Sequence, residues 1–275
     1  MITTVCLNPS FDKTATLSEL KPGELNRLEQ VRVDLGGKGL NVATVLSRLG
    51  VQTRCVGCLG SENASLFLRM VGREKLTFEY LMVSGEVRTN LKLCEKNTKA
   101  ITEINEPGPS VSEEELQSFL TLLEEKAQDS SYVVFSGRLP QNCGEDTYQR
   151  CIHSLPGKKC VLDAAGESLL RGIKEKPYLI KPNLPEIEGI VSRELKTLRA
   201  IRDAALLFRN GTDGRFDLLQ KRVFGGKGNE RSRRKSCDQV FFRLPRVRGL
   251  SVALKPRNCC QEPVFAADSS VQSVH

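Results

Sequence analysis

The densest run of chemistry-bearing residues is Asp34-Leu35-Gly36-Gly37-Lys38-Gly39-Leu40-Asn41-Val42-Ala43. Three glycines in four residues remove side-chain bulk, which suits close backbone approach to a ligand. They stand where an alternating strand (Val31, Val33 and Leu35 against Arg32 and Asp34) gives way to a helical pattern of Val42, Val45, Leu46 and Leu49. Consecutive N–H groups at a helix N-terminus favour oxygen-rich or anionic groups, and Lys38 and Asn41 add an ammonium and an amide. A polar, hydroxyl-bearing ligand is the natural guest, with a plain glycine turn as the bland alternative. The loop is not a Walker A motif, because Gly39 follows Lys38 and Arg32 stands where the first glycine belongs.

Two further stretches offer donors and carboxylates. Asn8-Pro9-Ser10-Phe11-Asp12 reads as a turn ending in a carboxylate, and Lys181-Pro182-Asn183-Leu184-Pro185-Glu186 follows an apolar run. Loops after the strands of parallel sheets line ligand crevices. A carboxylate such as Glu186 could order water around Mg²⁺, which keeps several waters and binds few protein groups directly. Cys55-Val56-Gly57-Cys58 has zinc-ligand spacing without a second matching pair, and His153 and His275 are the chain's two histidines. Core packing is therefore expected for the cysteines, and neither a Ser-His-Asp triad nor a histidine-rich metal site is expected.

The elements that must position these groups alternate in type. Ile2 to Leu7, Thr53 to Leu59, Tyr132 to Ser136, Cys160 to Asp163 and Tyr178 to Ile180 read as buried strands separated by helical patterns. Ser112 with Glu115 forms a capping box ahead of Leu116, Phe119, Leu120 and Leu123. That alternation predicts an α/β fold with a doubly wound, mostly parallel sheet flanked by helices. Gly23 to Leu35 and Val87 to Leu93 alternate as half-exposed strands, as a small β lid over a cleft would.

A chain of 275 residues with 39% hydrophobic and 27% charged residues has ample core. Residues 1–208 carry equal numbers of basic and acidic side chains, so the net +8 falls in 209–275. The first part thus gives no electrostatic reason for a nucleic-acid partner. No run of ~18 apolar residues suggests a membrane span, the N-terminus lacks a charged signal region, and a cytoplasmic location is expected.

Taken together, Asn8-Pro9-Ser10-Phe11-Asp12, Gly36 to Ala43, Arg88-Thr89-Asn90, Thr102 to Pro109, Ser136-Gly137-Arg138-Leu139-Pro140 and Lys181-Pro182-Asn183-x-x-Glu186 resemble, in order and spacing, the PfkB group of the ribokinase-like family. The resemblance implies an ATP-dependent kinase acting on a phosphorylated ketose, with fructose 1-phosphate and tagatose 6-phosphate both open. It implies a β lid that mediates homodimerisation. By carry-over, Asp12, Gly36, Gly37, Lys38 and Asn41 hold the sugar and Arg88 pairs with its phosphate. Lys181 and Asn183 lie near the nucleotide, and Glu186 orders Mg²⁺ indirectly. A guanidinium suits bidentate phosphate binding, and a carboxylate accepts from two hydroxyls at once.

The resemblance covers 1–208, the expected kinase core, with lid strands at about 13–35 and 86–105. Family members go on to a Gly-Ala-Gly-Asp motif whose aspartate is the catalytic base and whose N–H groups form an anion hole. This chain has no such motif, so no catalytic residue is assigned. Residues 209–275 are basic, with Arg231-Ser232-Arg233-Arg234-Lys235, Cys259-Cys260 and little apolar periodicity. That composition is what translation in a wrong frame gives, and codons for 231–235 can be chosen that read Gly-Ala-Gly-Glu one nucleotide later. The expectations are a break near Asn210–Asp213 and impaired chemistry, with a sugar-phosphate-binding pseudokinase as the alternative. Gly225-Gly226-Lys227-Gly228-Asn229 echoes the first loop without a strand–helix frame.

Overall fold

In a computed structural model, residues 1–197, 199–200, 203–204, 218–219 and 241–242 are described. Apolar runs of five to eight residues build the central sheet: β1 (Ile2–Cys6), β4 (Thr53–Gly60), β5 (Thr77–Val83), β8 (Tyr132–Ser136), β9 (Lys159–Asp163) and the short β10 (Leu179–Ile180). Their order is β10-β9-β8-β1-β4-β5, and every pairing is parallel. Strands buried on both faces need no strict polar alternation, which is why β1, β4 and β8 read as near-continuous apolar runs, unlike edge strand β5.

Alternate side chains feed two clusters. Val5, Leu7, Val56, Cys58, Val133, Phe135 and Leu162 pack with α3 (Glu113–Lys126), α4 (Thr147–His153), α5 (Gly166–Ile173) and α6 (Leu184–Val191). Cys6, Cys55 and Leu59 pack instead with α1 (Lys38–Arg48) and α2 (Ala64–Arg73). Helices therefore cover both faces, as the sequence predicts. Cys55 and Cys58 lie on opposite faces of β4, a geometry that rules out joint ligation of one metal ion.

The second sheet is the lid: β3 (Gln30–Gly36), β2 (Ser10–Leu17), β6 (Arg88–Glu95) and β7 (Ile101–Asn105), in that order. β2 and β6 run parallel, and the two flanking pairs are antiparallel. In register, Ser10 lies between Gly36 and Arg88, and Asp12 between Asp34 and Asn90. Side chains alternate in strands, so these polar residues share one face. The other face carries Val31, Val33, Leu91 and Ile104.

Several elements differ from expectation. The half-exposed strand begins at Gln30 and not at Gly23, because Asn26 ties the preceding segment into a turn through Lys21 N, Lys21 O and Glu24 O. Asp12 lies on β2, since Pro9 occupies the turn and Ser10 already pairs with Gly36 and Arg88. The buried stripe of α1 is Gly39, Leu40, Ala43 and Leu46; Leu49 is 55% exposed, and Val42 and Val45 are half-buried. The Ser112–Glu115 capping box is present with both of its bonds. Residues 198, 201–202, 205–208 and most of 209–275, including Gly225–Asn229, Arg231–Lys235 and Cys259-Cys260, lie outside the described residues. Leu218–Leu219 (β11) pairs antiparallel with Phe241–Phe242 (β12). No described helix is long and apolar enough to cross a membrane.

Candidate active site

The loops at Asn8, Ser136–Pro140 and Lys181–Glu186 leave the C-terminal ends of parallel strands, the edge where open α/β sheets bind ligands, while the Gly36 loop follows the antiparallel lid strand β3. β1 ends at the Asn8 turn, β8 at Gly137, β9 at Asp163 and β10 at Lys181. Three residues separate the lid strand β2 from β1, so its polar face is delivered to this edge.

On that face a hydrogen-bond network fixes Asp12. Its Oδ1 accepts from Ser10 Oγ at 2.8 Å and from Asn90 Nδ2 at 2.9 Å. Asn90 Nδ2 also reaches Ser10 Oγ at 3.0 Å, and Asn90 Oδ1 accepts from Arg88 Nη1 at 3.1 Å. Oδ2 of Asp12 has no hydrogen bond to a described residue and is the oxygen left to accept from hydroxyls. Arg88 is 7% exposed; its Nη2 donates to Asn8 O at 3.3 Å and its Nη1 to Glu106 O at 3.4 Å. Burial lowers the pKa of this guanidinium, and the neighbouring Arg138 charge acts in the same direction.

The glycines serve a purpose the sequence reading did not assign. A Cβ on Gly36 would stand 2.1 Å from Asp12 Oδ1, and one on Gly39 would stand 2.2 Å from Val5 O. Gly37 has φ +103°, and its Cβ would meet Cys6 Sγ at 2.6 Å. Side chains are excluded here chiefly because the loop packs on β1 and the lid. Cys6, buried beneath it, has its thiol pKa pushed up to about 11 by burial, against hydrogen bonds from the Leu40 and Gly39 backbone. Lys38 and Asn41 are exposed at the start of α1.

A second group joins the loop to the far end of the sheet. Asp163, 14% exposed at the end of β9, contacts Lys181 Nζ at 3.0 Å and Lys38 Nζ at 4.0 Å. Asp163 belongs to none of the motifs above, and Asn90, though part of Arg88-Thr89-Asn90, is given no role there; strand register brings both to the site. Asn183 and Glu186 form a reciprocal cap on α6: Asn183 Oδ1 accepts from Glu186 N, and Glu186 Oε2 from Asn183 N, both at 2.8 Å. Both also line a cleft of about 550 Å³ with Gly166, Pro185 and Ile190. Among the described residues no group of three or more His, Cys, Asp or Glu could hold a metal ion. With Oε2 committed to the cap, the donors fit only a water-mediated or phosphate-shared Mg²⁺.

A six-stranded parallel sheet between helices, with a four-stranded lid presenting polar groups over its C-terminal edge, defines a ribokinase-like protein. Residues 6–213 match the model of the pfkB family carbohydrate kinases, and the chain belongs to that family. It is 36% identical over 210 residues to the 1-phosphofructokinase of Vibrio cholerae, covering 74% of this chain and 65% of that protein. A 1-phosphofructokinase of Xanthomonas campestris gives 36% over 208 residues, with the same two coverages. The chain thus spans just under two thirds of the length of these curated relatives. Among solved structures, phosphofructokinase-2 from Escherichia coli in complex with fructose-6-phosphate superposes with a TM-score of 0.72 at 23% identity, covering 78% of this chain and 71% of that one. A possible 1-phosphofructokinase from Thermotoga maritima gives 0.66 at 25% identity, covering 77% and 69%.

Proposed function

We propose that residues 1–208 form a kinase core whose surviving half-site binds a ketose phosphate, fructose 1-phosphate before tagatose 6-phosphate. The supporting observation is the Ser10–Asp12–Asn90–Arg88 network on the cleft face of the lid. The two relatives at 36% identity, both 1-phosphofructokinases, favour fructose 1-phosphate. In this reading Asp12 accepts from sugar hydroxyls, helped by the N–H groups of Gly36 and Gly37 and by Asn41, while Arg88 takes the phosphate already on the sugar. Lys181, held by Asp163, faces the phosphates of ATP together with Asn183, and Lys38, within 4.0 Å of the same carboxylate, stays with the sugar-binding loop. Glu186 would hold water for a bound Mg²⁺, which would supply charge neutralisation at the phosphates.

Phosphoryl transfer rests almost wholly on positioning and electrostatic stabilisation. The chain lacks Gly-Ala-Gly-Asp, hence the aspartate base and the anion hole of its family. An anion-hole donor is worth about 10²–10³ in rate and a positioned base roughly 10²–10⁴. Purified chain with ATP, Mg²⁺ and fructose 1-phosphate is therefore expected to turn over at a small fraction of ordinary kinase rates; normal turnover overturns this. The same absence favours a second reading, a sugar-phosphate binder without turnover. Calorimetry then shows fructose 1-phosphate binding that weakens sharply in a folded Arg88→Ala variant.

The lid supplies the partner surface. Its outer face exposes Val31 (50%), Val33 (42%) and Ile104 (55%), and a second copy of the lid is the proposed cover. Sedimentation of wild type against Val33→Asp reads this out as dimer against monomer. The 209–275 segment is read as out of frame with the family, in keeping with a family match that ends at 213. Nucleotide sequence across codons 209–236 decides it: a Gly-Ala-Gly-Asp one frame away supports the reading, and its absence from all three frames refutes it.

A further inference from the structure

Tyr148, on α4, is the largest side chain wholly buried among the described residues, and no role above absorbs it. Its ring packs edge-on against Phe135 of β8, with centroids 6.0 Å apart. Packing needs only the ring; a hydroxyl in such a place costs free energy unless it is bonded. Tyr148 Oη donates to the carbonyl of Gly137 at 3.0 Å. Burial above all, then the neighbouring thiols and the Asp163 charge, pushes the phenol pKa well above its usual value, so the proton stays on the donor at neutral pH.

The carbonyl belongs to the first residue after β8, where the chain turns at the C-terminal edge of the sheet. Gly137 sits at φ +111°, a region that glycine enters freely, and a glycine peptide at a strand end keeps one orientation only while its groups are bonded. Its N–H donates to Asp163 O at 3.4 Å. An ideal Cβ on Gly137 would stand 3.6 Å from Lys38 Cβ and 3.8 Å from Lys38 N, so the residue lies against the first turn of α1. The Asp163 carboxylate in turn reaches Lys181 Nζ at 3.0 Å and Lys38 Nζ at 4.0 Å. Gly137 therefore borders both halves of the cleft: the glycine loop that opens α1, and the residue whose carboxylate holds Lys181. α4 and α1 pack on opposite faces of the sheet, and the phenol bonds across from one layer to the junction with the other.

We infer that Tyr148 is a positioning residue: its O–H pins the Gly137 peptide, and through that peptide sets Lys38 and Asp163 relative to each other. The inference rests on the ketose-phosphate reading above and deepens it, by naming a buried residue, in contact with neither ligand, on which both halves of the site depend. Without the bond the peptide is free to rotate and the contact with Lys38 loosens, while the ring still fills the core.

Tyr148→Phe tests it, because it removes one oxygen and keeps the ring. Thr3→Val is the control. Thr3 Oγ1 and Ser130 Oγ, both buried, bond at 2.7 Å at the N-terminal end of β1, so this variant also loses a buried hydroxyl bond, but at the opposite edge of the sheet. Calorimetry on the full chain, with fructose 1-phosphate and MgATP as separate probes, is paired with thermal denaturation. Both variants are expected to lose a similar few degrees in Tm. Tyr148→Phe is expected to raise the Kd for each probe about 3–10-fold, the worth of one neutral hydrogen bond, and Thr3→Val to leave both unchanged. Wild-type affinities in Tyr148→Phe, a loss for one probe alone, or equal losses in Thr3→Val overturn the inference and leave the ketose-phosphate reading intact. A folded wild type that binds fructose 1-phosphate but not MgATP also overturns the inference alone. One that binds neither fructose 1-phosphate nor tagatose 6-phosphate overturns both.

Discussion

Adding one methyl at Gly36 separates the binding role of the glycine loop from its folding role. An ideal Cβ there lies 2.1 Å from Asp12 Oδ1, 2.3 Å from Ser10 Oγ and 2.4 Å from Asp12 Cγ. Ordinary C···O contacts begin at about 3.3 Å, so the carboxylate must swing by roughly 1 Å. The swing breaks the bonds from Ser10 and Asn90 to Oδ1. Hydrogen bonds to a charged group are worth ~1.5–3 kcal/mol each, but Asp12 is half-exposed and water replaces much of that, leaving about 1–2 kcal/mol of lost stability. The sugar loses more, because a displaced carboxylate forfeits two hydroxyl contacts: about 3 kcal/mol, or a Kd raised ~10²-fold. Gly39→Ala is the contrast. Its Cβ meets Val5 O at 2.2 Å and Val5 C at 2.7 Å, backbone of the central strand that cannot rotate away. Overpacking against backbone costs ~1–3 kcal/mol or more, read as a fall in Tm of several degrees. Calorimetry with fructose 1-phosphate and thermal denaturation on both variants give the test. Wild-type sugar-phosphate affinity in Gly36→Ala, or a Gly39→Ala protein as stable as wild type, refutes the reasoning.

Asp163→Asn leaves Lys38 and Lys181 without their shared carboxylate; a loss of ~1–2 kcal/mol in stability and weaker MgATP binding by calorimetry are expected, and unchanged nucleotide affinity contradicts the clamp. Buried Cys6 carries a thiol pKa raised from 9.0 to about 11, so both folded and unfolded chains keep the proton below pH 9. Above it the unfolded chain ionises first, and stability declines between pH 9 and about 11. Urea titrations at stepped pH should show that decline, shallower in Cys6→Ala. Asn183→Ala removes one half of the α6 cap and should cost ~1 kcal/mol in the same titration.

Legibility in the sequence followed burial. β8 was readable to the residue because Tyr132–Ser136 is an uninterrupted apolar run, whereas edge strand β5, Thr77–Val83, hides behind Glu79 and half-buried positions. Asn8-Pro9 signals a turn correctly, but nothing local says that it ends before Ser10; pairing with Gly36 and Arg88 decides that. The spacing Asn183-x-x-Glu186 satisfies two chemistries, a metal-ordering carboxylate and a capping box, and the fold realises the cap. Asn90 and Asp163 gain their places through register with β2 and β8, information spread over more than seventy residues in the first case and twenty-seven in the second.

The side chain of Asn8 bonds to carbonyls 99 and 131 residues further along the chain. During synthesis, which delivers the N-terminal part first, the turn at Asn8 waits with an unsatisfied amide until Leu139 has left the ribosome. The polar cleft around Asn8 is therefore completed late relative to its first residue, once Leu139 is available. Whatever is made after residue 209 is added to a chain that already contains every partner of the Asn8 side chain.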